Sequence, residues 1–115
     1  MDLNATFLAL ADGRRRAVID VLKKKPRRAG EIAALLDLTP PALSRHLRVL
    51  RRSGLIREQG IQRDARVRIY HLRKRPFDEL RGWLEEVESF WAGELAAFRD
   101  HVERSKIRRK GSPKR

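Results

Sequence analysis

The sequence contains no cysteine. Disulfides, thiolate metal ligands and cysteine nucleophiles are therefore excluded, and the composition is compatible with a reducing cytoplasm. Long apolar runs are missing too. Nothing approaches the roughly 20 consecutive apolar residues of a membrane span. The opening Met1-Asp2-Leu3-Asn4 is acidic and leads into no signal-peptide core, so a soluble, cytoplasmic protein without a membrane partner is expected. There is also no Gly-rich phosphate loop, no HExxH and no nucleophile–base pair at motif spacing. The chain is expected not to be an enzyme, with no catalytic residues and no cofactor.

What the sequence does have is positive charge. Its 115 residues, enough for one domain, carry a formal net charge of +13. The distribution is uneven. Residues 38–76 hold 11 basic and 2 acidic side chains, whereas residues 77–103 hold 2 basic and 8 acidic. The last twelve residues, 104–115, hold 7 basic and no acidic side chains. A merely solubilising surface intersperses the two signs. This separation points to one surface that meets a polyanion and another with a different task.

Apolar periodicity organises the chain. Leu3, Phe7, Leu8 and Leu10 mark a first short helix, broken at Asp12-Gly13. Val18, Ile19, Val21 and Leu22 mark a second, from about Arg14 to Lys24, with Lys23, Lys24 and Lys25 at its end and Pro26 stopping it. A third helix covers Ala29 to Leu36. Thr39 reads as the N-cap of a fourth, with Pro40 and Pro41 in its first turn and Gly54 just past its end. The period then changes to that of strands over Leu55–Ile61 and Arg66–Leu72. Pro76 precedes a long helix, about Phe77 to Glu103. Its apolar positions Phe77, Leu80, Leu84, Val87, Trp91, Leu95, Phe98 and Val102 recur at spacings of three and four. Residues 1–103 are expected to form one unit, and 104–115 a disordered basic tail. The predicted class is mainly α with a small β-hairpin, in the order α-α-α-α-β-β-α.

Two short helices joined by a tight turn, followed by a hairpin, make a winged helix-turn-helix. In the fourth helix Leu43, Leu47 and Leu50 share one face, while Pro41, Ser44, Arg45, Arg48 and Arg52 lie opposite. An arginine fork reaches guanine O6 and N7 or clamps a phosphate, and serine bonds a base edge or a phosphate. The plainer alternative, a solvated helix face, lacks the interleaved acidic partners such faces favour. Thr39 at the helix start joins this candidate DNA-facing set. Arg63, Arg66 and Arg68 on the hairpin suit phosphate contacts beside it, although an ordinary surface hairpin also carries arginines.

The stretches Leu10–Leu22, Gly30-Glu31-Ile32-Ala33-Ala34-Leu35-Leu36 and Ser44-Arg45-His46-Leu47-Arg48-Val49-Leu50, the last followed by Gly54-Leu55-Ile56, resemble the ArsR/SmtB family of winged-helix repressors. Tyr70-His71-Leu72 and Phe90-Trp91 add to the likeness, which covers about residues 3–100. The resemblance implies a homodimer joined through the first and last helices, with the fourth helix in the major groove. There are departures. Arg28 stands where relatives have a capping Ser or Thr. Pro40 replaces a common polar residue, and Arg63-Asp64-Ala65-Arg66 replaces the usual wing tip. Metal-responsive members carry cysteines on the third helix or a carboxylate–histidine set on the last. Here Ala29-Gly30-Glu31 occupies the cysteine position, and Asp100-His101 has no second histidine. Zinc needs about four converging ligands, so no metal site is expected. His46 is expected at the edge of the apolar face, donating a hydrogen bond.

Trp83, Phe90 and Trp91 are more aromatic surface than one small monomer readily buries. A dimer interface is the first reading, formed by Leu84, Val87, Trp91, Leu95 and Phe98 with Leu3, Phe7 and Leu10; a small-molecule pocket between subunits is the second. The functional expectation is a dimeric, sequence-specific repressor on a pseudo-palindromic operator in double-stranded DNA. Its rivals are a nonspecific, chromatin-like nucleic-acid binder and a protein-interaction module.

Overall fold

In a computed structural model the chain is described over residues 2–61 and 63–111. It divides into two units, Met1–Leu80 and Arg81–Arg115.

The first unit opens with helix α1 (Leu3–Leu10), capped by the Asp2 carboxylate, which accepts from the Asn4 amide at 2.9 Å. Helix α2 (Gly13–Lys24) begins one residue earlier than its apolar pattern does. Asp12 caps it by accepting from the amides of Arg14 and Arg15 at 2.8 and 3.2 Å. A carboxylate there satisfies orphan N–H groups and faces the positive end of the helix. The sequence pattern misjudges α1. Thr6 and Ala9 are its buried residues, whereas Leu8 is 71% exposed. Small side chains at i and i+3 form the inward face, and Arg15 closes the corner by donating to the carbonyls of Ala9 and Leu8 at 2.7 and 3.1 Å.

Sequence patterning also misses strand β1 (Arg27–Arg28), which pairs antiparallel with Tyr70 and Ile69. Two residues are too few to show a period of two. Pro26 favours extended backbone at Lys25, and Arg27 is anchored by its Nε bond to the Val21 carbonyl (2.9 Å) and its ion pair with Glu31 (2.7 Å). Arg28 then begins helix α3 (Ala29–Leu36) without a side-chain cap, as its residue type predicts. Asp37 ends α3 in the left-handed region, φ 53°.

Helix α4 (Pro40–Arg52) starts at Thr39, whose hydroxyl accepts from the Ala42 amide at 3.3 Å. It ends in a Schellman motif: the Leu55 amide bonds to the Leu50 carbonyl and the Gly54 amide to the Arg51 carbonyl, both at 3.0 Å. Gly54 takes φ 79°, which costs glycine nothing, and Leu50 and Leu55 are both fully buried. Strands β2 (Ile56–Ile61) and β3 (Asp64–Leu72) follow, giving a three-stranded antiparallel sheet in the order β1-β3-β2. The core gathers Val18, Ile19 and Leu22 of α2, Ile32 of α3, Leu43, Leu47 and Leu50 of α4, and Ile56 and Tyr70 of the sheet. This is a winged helix-turn-helix, mainly α as the periodicity predicts, with one strand more than expected.

Helix α5 spans Lys74–Gly111. It begins before Phe77, so Pro76 lies inside its first turn, where the missing N–H is harmless. It also passes Glu103. The disordered tail expected from Arg104 is helical to Gly111, because extending an existing helix needs only one bond per residue fixed, and cations suit its C-terminal end. Residues 112–115 of that expected tail lie outside the described residues. In the second unit Trp91, Leu95 and Phe98 are 58%, 62% and 66% exposed, and Phe90 meets Trp91 edge-on with centroids 5.5 Å apart. No described helix is long and apolar enough to cross a membrane.

Candidate nucleic-acid interface

Helix α4 has two chemically opposite sides. Leu43, Leu47 and Leu50 are 2%, 5% and 0% exposed, while Pro41, Ser44, Arg45, Arg48 and Arg52 are all exposed, as is Thr39 at the cap. Arg45, Arg48 and Arg52 make no ion pair or side-chain hydrogen bond among the described residues. Three guanidinium groups are thus held out in water by a helix whose other side is locked into the core. Ser44 is placed differently from the arginines. It borders a small cavity of about 150 Å³ whose lining includes Ala29, Gly30, Ala33 and Tyr70, so it sits toward α3.

Arg51 is the residue that outward-face reasoning passes over. Its guanidinium pairs with Glu58 of β2 at 3.1 Å, and Glu58 also accepts from the Tyr70 hydroxyl at 2.9 Å. Burial, then the bond to Glu58, push the Tyr70 hydroxyl above its usual value near 10. The three residues fasten α4 to the root of the hairpin. The register explains how: Glu58 lies directly opposite Tyr70. That alignment cannot be read from strand periodicity, which fixes faces but not partners.

On the wing, Arg63, Arg66 and Arg68 are exposed. Arg66 and Arg68 have the same parity as Tyr70 and therefore continue the face of β3 that joins the α4 network at its root. The pairing is regular from Ile56↔Leu72 to Gly60↔Arg68 and then shifts at Gly60/Ile61. A Cβ at Gly60 would lie 3.4 Å from the Arg68 guanidinium, so that arginine lies across the strand beside Gly60. The wing turn includes Gln62, which lies outside the described residues.

His46 is half-buried as expected, but its side chain donates no hydrogen bond among the described residues. It is the smallest of the causes that lower the Asp12 carboxylate. His71 is half-buried, and burial followed by the Arg57 cation holds it below the ordinary imidazole value near 6.5. Asp100 and His101 are exposed on α5, and no group of three or more His, Cys, Asp or Glu side chains comes together among the described residues.

Residues 12–58, from the cap of α2 into β2, match the family described as bacterial regulatory protein, arsR family. The HTH-type transcriptional regulator Rv2034 of Mycobacterium tuberculosis is 35% identical over 92 residues, covering 78% of each protein. The chain belongs to the ArsR family. The transcriptional repressor SdpR of Bacillus subtilis is also 35% identical, over 54 residues that span 47% of this chain and 60% of that protein. A crystal structure of an ArsR family transcriptional regulator, RHA00566, is 37% identical and superposes with a TM-score of 0.71 over 78% of this chain and 96% of its own. The family match runs through α4 into β2, so Arg45 and Arg48 lie on a helix within the matched stretch.

Proposed function

We propose that this ArsR-family chain is a homodimeric repressor that binds a pseudo-palindromic operator in cytoplasmic double-stranded DNA, by recognition rather than catalysis and without metal sensing. The observation that carries this reading is the outward arginine face of α4, opposite a fully buried leucine face. Arg45 and Arg48 would read base edges, since a guanidinium offers two parallel donors to guanine, and Ser44, exposed on the α3 side of the helix, would bond a base edge or a phosphate there. Thr39, Pro41 and Arg52 would border the groove, and Arg63, Arg66 and Arg68 would neutralise phosphates along the wing. Repression is inferred from the likeness to the transcriptional repressor SdpR. A twofold pair of such units would address half-sites about 34–36 Å apart or a multiple of that.

Residues 1–103 would form the DNA-binding and dimerising part, with the basic residues beyond them as an auxiliary arm. Dimerisation through Leu3, Phe7, Leu10, Leu84, Val87, Trp91, Leu95 and Phe98 is supported by the exposure of Leu84, Trp91, Leu95 and Phe98 on α5. Binding-site selection from a random duplex pool, followed by competition against random duplex, tests the function. An enriched palindrome with strong preference over random DNA is the expected result. Tight binding without preference would replace this reading with a chromatin-like one, and no binding at low salt would favour a protein-docking role.

A further inference from the structure

The first unit holds a groove that neither the α4 face nor the wing uses. Ile19, Leu72 and Phe77 line it together with Lys23, Arg73 and Lys74, and the lining is almost entirely hydrocarbon, the stems of those three exposed residues included. Its volume is about 320 Å³. That reaches the range of small-molecule sites, roughly 300–1,000 Å³. Ile19 is part of the core, and Leu72 and Phe77 pack against that core while remaining half-buried. The floor is therefore firm rather than a loose surface patch.

Two of the three charges around it lack counterparts among the described residues, and the third has a solvent-exposed one. Arg73 and Lys74 make no ion pair or side-chain hydrogen bond among the described residues. Lys23 has Asp20 at 3.1 Å, but the two side chains are 63% and 67% exposed, so water competes for that pair. No carboxylate lines the groove, and no acidic residue stands in the first turn of α5. A neutral apolar molecule would leave the cations unused, and a phosphate backbone would leave the hydrocarbon floor uncovered. One ligand chemistry answers both features: an anionic head on an apolar tail.

We propose that this groove binds a medium-chain carboxylate. The head group stays at the solvent-exposed edge of the groove and draws charge-assisted bonds from the flexible cations of Arg73, Lys74 and Lys23. The tail covers Ile19, Leu72 and Phe77 and removes apolar surface from water. This site stands independently of the DNA-binding reading.

Octanoate and its uncharged counterpart 1-octanol are the probes, titrated into the full-length protein by calorimetry with NMR shifts as the map. Octanoate is expected to bind saturably and to shift Ile19, Leu72 and Phe77. Loss of a charge-assisted bond is expected to make octanol bind about tenfold more weakly. The double variant Arg73→Gln/Lys74→Gln, which alters exposed side chains only, should reduce octanoate affinity by about tenfold and leave octanol unchanged. Equal affinity for the two probes, absence of saturation, or shifts confined to other residues would overturn the proposal. So would a double variant that keeps octanoate binding but loses affinity for random duplex DNA, because its cations would then be phosphate contacts.

Discussion

Arg45 and Arg51 belong to the same helix, yet one is free in solvent and the other is tied to Glu58. A free guanidinium on an exposed helix face is able to reach base edges, whereas a paired one holds the hairpin in place. Arg45→Ala is therefore expected to weaken binding to the selected operator by roughly 1–3 kcal/mol and to relax preference at one or two positions. Gel-shift titrations against operator and random duplex check this, and equal losses on both would reduce Arg45 to a phosphate clamp. Asp12 allows a different test. The Arg15 amide, then the Arg14 amide and the Arg15 and His46 charges, outweigh burial and hold its carboxylate below the ordinary 3.8. A carboxylate lowered in the folded state stabilises above its unfolded value and loses that contribution as pH falls through the folded one. Asp12→Asn should thus melt lower than wild type at neutral pH, and the gap should close as pH drops below 3.8. A gap that persists in acid would assign the loss to packing.

At the scale of elements, α4 is positioned by its buried face and its ends. Leu50 contributes to both, since its side chain is fully buried and its carbonyl receives the Leu55 amide. Leu50→Ala should cost about 2–5 kcal/mol of stability in urea unfolding, the range for large-to-small core changes. A loss below 1 kcal/mol would mean that the site collapses around the missing atoms. The wing has the opposite character, with exposed arginines on a hairpin whose pairing shifts near its tip. Arg63→Ala/Arg66→Ala is expected to lower affinity for every duplex and to flatten the dependence of log K on log salt. An unchanged slope would take the wing out of the contact surface. The faces of α4 were legible from period alone, because 100° per residue places Leu43, Leu47 and Leu50 together, and so were the two hairpin strands. Strand β1 was not legible, since two arginines carry no period and become a strand only beside Ile69 and Tyr70.

For the whole molecule, the acidic stretch with Glu85, Glu86 and Glu88 and the basic stretch that contains α4 fall in different parts of the chain. An interface through the apolar positions of α5 would cover side chains that a lone chain leaves exposed. Burying one large aromatic is worth roughly 1.5–3 kcal/mol, so Trp91→Ala should shift the protein toward monomer in sedimentation at micromolar concentration. A wild-type protein that stays monomeric there, yet grips a palindrome tightly, would refute the interface. Residues 104–115 carry only positive charge, so deleting 105–115 should spare folding and mainly reduce affinity for random duplex. Loss of folding or of dimerisation on truncation would make that segment structural.

By itself the sequence determined the order of the helices, where α3 and α4 begin, which side of α4 is apolar and where positive charge collects. Those properties depend on neighbours within a few residues, which periodicity, caps and prolines record. Only the tertiary structure decided that Thr6 and Ala9, not Leu8, face inward on α1, and that Arg27 closes a third strand. It alone brought Arg51, Glu58 and Tyr70 into one network. These outcomes depend on which distant segment arrives beside each residue, and local pattern carries no record of that choice.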